Sequence, residues 1–263
     1  MKEQILSILP SSCPWREHLH WFESIDSTNL RAKEMAKQGA PHGTVLIAGC
    51  QTGGRGRGDR SFSSPAGLGM YLSVILRPGC APRDLMHLTC AAAVAGCDAV
   101  MQAAGFRPRI KWTNDLVVGK QKLGGILTEL SVDPKTGLVD YAIVGIGINC
   151  LQKEEDFPPQ LQQIATSLSM VCGRRITPLT MASAMIETLA RLDLADKKTI
   201  LAQYEKDCMT LGKEIVLVRG EEVLYGTAVG LDPDSGLIVR FRDGTVRPVN
   251  SGEVSVRGMY GYV

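Results

Sequence analysis

The chain has 263 residues, 44% of them hydrophobic, and a formal net charge of only +2. That is material for one large domain plus a small one, and the charge excludes a general nucleic-acid footprint. The eight cysteines hold no Cys-x-x-Cys pair, the four histidines show no metal spacing, and no apolar stretch nears the roughly 20 residues that span a bilayer, so a reduced, cytoplasmic protein with no signal peptide and no membrane partner is expected.

The first 20 residues read as a short helix and a connector, too few for a helix-turn-helix domain. Asp26 or Ser27 caps a helix carrying Leu30, Met35 and Ala36 on one side. Residues 44–49 form a buried strand, and a glycine- and arginine-rich loop follows over 51–67. Residues 70–76 form a second strand, ended by Pro78 and Gly79. An alanine-rich helix is expected over 83–104. A run of strands starts at 109–112, with a turn at Gly119-Lys120 before 124–130 and a loop at 133–137 before 139–149. Short strands joined by hairpins describe an α+β sheet, at least partly antiparallel, rather than a βαβ repeat. Helices are expected over 160–170, 178–191 and 196–208. From Leu211-Gly212-Lys213 onward only short strands remain, separated by Arg219-Gly220, Asp232-Pro233-Asp234 and Asp243-Gly244, the pattern of a small barrel. The expected division is a domain over 1–210, of which 1–20 is a short extension, and a barrel over 211–263.

The densest signal is QTGGRGRGDRSF, 51–62. Glycines let backbone N–H groups approach an oxyanion, and Arg55, Arg57 and Arg60 supply guanidinium forks for phosphate or carboxylate oxygens. The spacing is neither Gly-x-x-x-x-Gly-Lys-Ser/Thr nor Gly-x-Gly-x-x-Gly. A solvated loop and an RNA-binding arginine–glycine tract are the alternatives; the second is usually repetitive, whereas this segment occurs once, between two strong strands.

A second cluster is KWTNDLVVGKQKLGGILTEL, 111–130. Asp115, near the end of a strand, is a candidate Mg²⁺ ligand or simply a turn cap. Lys111 and Lys122 can neutralise charge developing on a phosphoryl group; a solvated hairpin lysine is the alternative for Lys122 and the preferred reading for Lys120. Gly124-Gly125 leaves room for a ligand against a strand. In GIGIN, 145–149, Gly145 and Gly147 share one strand face, and Asn149 either contacts a ligand or makes an Asx turn. Ser27-Thr28-Asn29, at a helix start, can bind an amide or urea, but alone reads as capping. No nucleophilic triad is visible, so transfer by positioning and electrostatics is expected, without a covalent enzyme intermediate.

Taken together, Asp26-Ser27-Thr28-Asn29, QTGGRGRGDRSF, KWTNDL, KLGGIL with Glu129, GIGIN and SGEVSV at 251–256 resemble the biotin–protein ligase family, in order and spacing, from 21 to 257. The resemblance implies a central mixed β-sheet with packed helices, followed by an SH3-like β-barrel. It implies activation of biotin by MgATP to biotinyl-5′-AMP and transfer to a lysine of a biotin carboxyl carrier protein or domain, such as that of acetyl-CoA carboxylase. By motif, Ser27, Thr28, Asn29 and Gln51 would hold the ureido ring. Arg55, Gly56 and Arg57 would contact biotin and the adenylate, with Arg60 at the phosphate end. Lys122 would meet the carboxylate or acyl-phosphate oxygen, Lys111 and Asp115 would serve ATP and Mg²⁺, and Gly124, Gly125, Gly147 and Asn149 would shape the walls.

The sequence departs from the family pattern at several points. Gly58-Asp59 stands where Arg-Gly is common, Phe62 where tryptophan is usual, Thr113 where proline is frequent, and Gly124 where alanine is frequent. Phe62 keeps an apolar ring for adenine packing but loses the indole donor, and Asp59 could pair with Arg57 or Arg60. Some family members carry an N-terminal DNA-binding domain; the first substrate motif here begins at 26, so no DNA partner is expected. A homodimer is compatible with the family.

Overall fold

The computed structural model describes every residue except 59, 86, 251, 252, 258 and 260–263. Asp59, with its expected pairing to Arg57 or Arg60, and Ser251-Gly252 of the last motif lie outside the described residues.

The main sheet is built by hydrophobic strands that need cover on both faces. Its members are β1 (Leu19–Phe22), β2 (Thr44–Ala48), β3 (Gly69–Leu76), β4 (Arg109–Lys111), β5 (Asp115–Val118), β6 (Gln121–Val132) and β7 (Val139–Asn149), in the spatial order β1-β2-β3-β7-β6-β5-β4. β1 runs parallel to β2 and every other pair is antiparallel, so the sheet is mixed. Strand β1 is absent from the sequence reading: four residues of LHWF are too short for alternation to stand out.

Alternation along β3 and β7 decides which face does what. Leu72, Val74, Val144, Ile146 and Ile148 face the large core. That core is covered by α3 (Leu88–Ala104), α5 (Pro178–Leu192) and α6 (Lys197–Asp207), with α1 (Lys2–Ile8) inserting Ile5. The other face packs Ile75, Tyr141 and Ile143 against Ala32 and Ala36 of α2 (Thr28–Lys37). Beyond α2 the inward positions become Gly145, Gly147 and Asn149. The sheet face is therefore covered by a helix at one end and left open at the other.

Helix α3 starts at Leu88, after a 3₁₀ turn at Pro82–Leu85, rather than at 83. The helix expected over 160–170 is replaced by a 3₁₀ turn, Pro159–Leu161, and the short α4 (Leu168–Cys172). Pro158 and Pro159 open that 3₁₀ turn, with Leu161 N–H donating to Pro158 O (2.7 Å). The next backbone groups are then taken by strand β6: Lys122 N–H donates to Ile164 O (2.8 Å) and Thr166 N–H to Lys122 O (2.9 Å).

A second sheet comprises β8 (Glu214–Arg219), β9 (Glu222–Leu231), β10 (Leu237–Phe241), β11 (Val246–Val249) and β12 (Glu253–Val256), ordered β11-β10-β9-β8-β12 and antiparallel throughout. It is joined to the main body at a few specific points. Trp112 Nε1–H donates to Ser235 O (3.2 Å), and Lys197 pairs with Asp234 (2.9 Å). Among the described residues no helix is long and apolar enough to cross a membrane.

Candidate active site

The open half of the sheet is the floor of a cavity of about 560 Å³, within the range of small-molecule and cofactor sites. One end is a buried polar network. Ser27 is the N-cap of α2, but its side chain makes no capping bond. Thr28 and Asn29, in the first turn, point onto the sheet and are 3% and 4% exposed, so capping does not account for them. Gln51 Oε1 accepts from Thr28 N–H (2.8 Å) and from its hydroxyl (3.1 Å). The Ser73 hydroxyl lies 2.7 Å from Thr28 Oγ1 and 2.6 Å from Asn29 Oδ1. Asn29 Nδ2 donates to Glu129 Oε2 (2.8 Å) and Leu127 O (3.3 Å). A Cβ at Gly145 would stand 1.9 Å from Asn29 Oδ1, which is why β7 carries a glycine there.

Glu129 extends this network toward the arginine loop. Its Oε1 meets Lys33 Nζ at 2.5 Å and the Arg55 guanidinium at 3.3 Å. Burial pushes the Glu129 carboxyl up, but Lys33, Asn29 and Arg55 outweigh that and hold it below the ordinary carboxylate range.

The loop itself closes on backbone bonds, Gly56 N–H to Arg60 O (2.7 Å) and Phe62 N–H to Gly54 O (2.8 Å). Arg57 donates to the Thr113 hydroxyl (2.7 Å) and Asn114 Oδ1 (3.1 Å). The Phe62 ring lies on Gly147, where an added Cβ would stand 2.5 Å from Cε1, and meets Tyr71 edge-on at 6.4 Å between centroids. Phe62 is thus part of the wall over the sheet glycines.

In the middle of the cavity Lys122 Nζ pairs with Asp115 Oδ1 at 2.7 Å. Both flank Gly125, where a Cβ would come within 3.3 Å of Lys122 Nζ and 3.7 Å of Asp115 Oδ1. Asp115 opens β5 rather than ending a strand, and Lys111, 8% exposed, is its register partner on β4. Lys122 lies on β6 and faces the cavity, so the solvated-turn reading does not hold for it.

The cavity lining brings together Ser27, Thr28, Asn29, Gln51, Arg55, Gly56, Arg57, Arg60, Phe62, Lys111, Asp115, Lys122, Gly125, Gly147 and Asn149. Gly124 is not among them. Its missing side chain would meet Gly147 O at 2.5 Å, so it serves the packing of β6 on β7. Asn149 is tied within the wall, donating to Thr166 O (3.0 Å) and accepting from Gln152 (3.2 Å). The sequence reading missed Phe157, Leu161, Ile164 and Ala165, an apolar wall from a segment without periodicity; Val254 and Ser255, part of the SGEVSV motif but given no site role there, reach the cavity on β12. It also missed Ser73, which is fully buried. A serine in an otherwise apolar buried strand was the available signal.

The nearby thiol of Cys150 is pushed up to about 12 by burial, so it offers no thiolate nucleophile. Among the described residues no group of three histidines, cysteines or carboxylates is placed to hold a metal ion.

Comparison with known proteins decides between the chemistries such a cavity could serve. Residues 21–149 match the biotin/lipoate A/B protein ligase family, and residues 210–257 match the biotin protein ligase C-terminal domain. The bifunctional ligase/repressor BirA of Bacillus spizizenii is 34% identical over 91% of this chain and 74% of its own length. The chain belongs to the biotin protein ligase family. The biotin–[acetyl-CoA-carboxylase] ligase of Mycobacterium tuberculosis is 29% identical over 91% of this chain and 89% of its own. The biotin protein ligase of Aquifex aeolicus, solved with biotin and ATP, superposes with a TM-score of 0.77 at 29% identity, covering 92% of this chain and 99% of that one. The ligase is accordingly an enzyme of ATP-dependent biotin ligation, with a mixed central sheet and a separate five-stranded C-terminal sheet.

Proposed function

We propose that the ligase joins biotin to ATP as biotinyl-5′-AMP and then passes the biotinyl group to a lysine of a carrier domain, that of acetyl-CoA carboxylase being the natural candidate from its relatives' names. The observation that carries this reading is the Lys122–Asp115 pair against Gly125, between the buried polar end and the arginine loop. Ser27, Thr28, Asn29 and Gln51 suit a ureido ring, which offers both donors and an acceptor.

In the first step a biotin carboxylate oxygen forms a bond to the α-phosphorus, and the bond from that phosphorus to the bridging oxygen breaks, releasing pyrophosphate. Lys122 stands where it can hold the attacking carboxylate and then stabilise the charge that gathers on the phosphoryl oxygens, an effect larger in the transition state than before it. Arg55, Arg57 and Arg60 supply further positive charge from the loop, and Lys111 from β4. In the second step the carrier lysine amine attacks the acyl carbon, AMP leaves with the electron pair of the broken C–O bond, and the amine gives up a proton.

Mg²⁺ prefers a few protein oxygens with phosphate and water completing the shell. Asp115, paired with Lys122 in the cavity, is the carboxylate that would hold it, and when bound the ion would neutralise phosphate charge. A single carboxylate beside lysines fits an ion carried in with ATP better than a resident metal. Phe157, Leu161 and Ile164 give the cavity an apolar lining suited to adenine; Phe62, expected from the resemblance to pack on adenine, lies over Gly147, where it would instead serve the biotin floor. We place the division between catalytic domain and barrel at 210/211.

The test combines the protein, MgATP, biotin and a purified carrier domain. Pyrophosphate release and a mass gain on one carrier lysine are expected. Absence of both in folded protein overturns the proposal, and equal or better turnover with lipoate replaces biotin as substrate.

A further inference from the structure

The glycine–arginine loop has to hold still over a reactive intermediate, yet it is exposed and lined with like charges. Its second arginine ends on a segment that is fixed from three directions. Trp112 N–H donates to the buried Thr210 hydroxyl (2.9 Å), and Trp112 Nε1–H to Ser235 O in the barrel (3.2 Å). Tyr204 of α6 donates its hydroxyl to Thr113 O (3.0 Å). Asn114 exchanges bonds with Ile126 of β6: Nδ2 donates to Ile126 O and Ile126 N–H to Asn114 O, both at 2.9 Å. The Asn114 amide is thereby oriented with Oδ1 toward the loop, and the Thr113 hydroxyl beside it is held at a set position. One Arg57 NH1 group donates to both.

We propose that Thr113 is a positioning residue: its hydroxyl, with Asn114 Oδ1, latches Arg57 and so holds the glycine–arginine loop over the middle of the cavity. Proline, frequent at this position in the family, has no hydroxyl and could not make the bond. The same chain has Gly58 where an arginine is common, and so has one fewer loop cation to bind the intermediate directly. Among the described residues the acceptors that restrain Arg57 are neutral, unlike the carboxylate that Arg55 meets. The role in retaining an acyl-adenylate rests on the function proposed above; the role in holding the loop does not.

The experiment has two arms, run on the full-length protein with Thr113→Val, Thr113→Ser, Arg57→Gln and the Arg57→Gln/Thr113→Val double variant. The first arm reads amide hydrogen exchange across 54–61 without ligands, with β3 and β7 as internal controls. Thr113→Val should speed loop exchange about fivefold, the size of one partly exposed hydrogen bond, and leave the controls unchanged. Thr113→Ser should restore the parent rate, and the double variant should match Arg57→Gln alone. The second arm follows release of biotinyl-5′-AMP from protein loaded with biotin and MgATP, and the same ordering is expected. Unchanged loop exchange in Thr113→Val, or additive effects in the double variant, overturns the latch. Faster exchange with unchanged release removes its part in retention. A parent that forms no adenylate defeats the function reading, and the exchange arm still decides the latch.

Discussion

The two ends of the cavity are built on opposite principles. At the α2 end Thr28, Asn29 and Ser73 are buried on a helix and a strand and, with Gln51 just past β2, satisfy one another, and Gly145 is cut away to fit Asn29. At the loop end the charged groups hang from a glycine-rich turn, and Arg55 and Arg57 reach across by side-chain bonds, one from Arg55 to Glu129 and two from Arg57, to Thr113 and Asn114. On the function proposed above, the first end would discriminate a neutral polar ring, because buried donors and acceptors left unpaired by a wrong ligand are costly. On the same reading the second would open for two substrates and a carrier lysine, which suits bonds of small net energy. Lys122 lies between, on a strand but one-third exposed in its side chain.

The largest effect expected is at that junction. Lys122→Ala should lower the rate of pyrophosphate release by roughly a hundred- to a thousandfold, the size of losing one preorganised donor, with the KM for biotin little changed. A rise in that KM with kcat intact would move Lys122 to the recognition end and remove the distinction. Next is Gly145→Ala. The added methyl collides with Asn29, which is fixed on three sides and cannot swing away, so overpacking of about 1–3 kcal/mol is expected. It should appear as a KM for biotin raised roughly tenfold or more, with the adenylation rate at saturation kept and amide exchange over 54–61 unchanged. A loosened loop in this variant would show that the two ends are one unit.

The same contrast explains what could be read from the sequence. Residues of the loop end were legible because arginine and glycine clusters have few other uses: Arg55, Arg57, Lys111, Asp115 and Lys122 all line the cavity. The sheet was legible from its apolar runs, and the open face from glycines alternating with Ile146 and Ile148. The recognition end was less so. Thr28 and Asn29 look like capping residues until Gln51 and Ser73 are brought beside them by pairing of β2 with β3. Ser73 is a single hydroxyl among aliphatics, and its partner lies 44 residues away. The apolar wall of Phe157, Leu161 and Ile164 follows neither a helical nor a strand period, because its shape is set by backbone bonds to Lys122. Gly124 and Gly125 are adjacent in one motif, yet the pleat sends only the second to the cavity.

The smallest effect is expected at Glu129, which touches Asn29 at one end and Arg55 at the other. Its carboxyl is held below the ordinary range by Lys33, Asn29 and Arg55 against the opposing pull of burial. A depressed folded-state value means stabilisation that is present above the unfolded carboxyl pKa of about 4.3 and is lost as pH falls through the lower folded value. Glu129→Gln should therefore be less stable than the parent at pH 7 by about 1 kcal/mol, and the two melting curves should converge as pH is lowered below about 4. A difference that stays constant with pH would mean that the charge is not what Glu129 contributes. The kinetic consequence separates two models of the site. If Glu129 only neutralises Lys33, the KM for biotin and loop exchange both keep their parent values. If it joins the ends, Glu129→Gln raises both together, since Gln keeps one acceptor but loses the charge that draws Arg55 toward Asn29. The short Lys33 contact at 2.5 Å and the longer Arg55 contact at 3.3 Å on the same oxygen favour an unequal split: a clear change in biotin binding and a smaller one in the loop, below that of Thr113→Val.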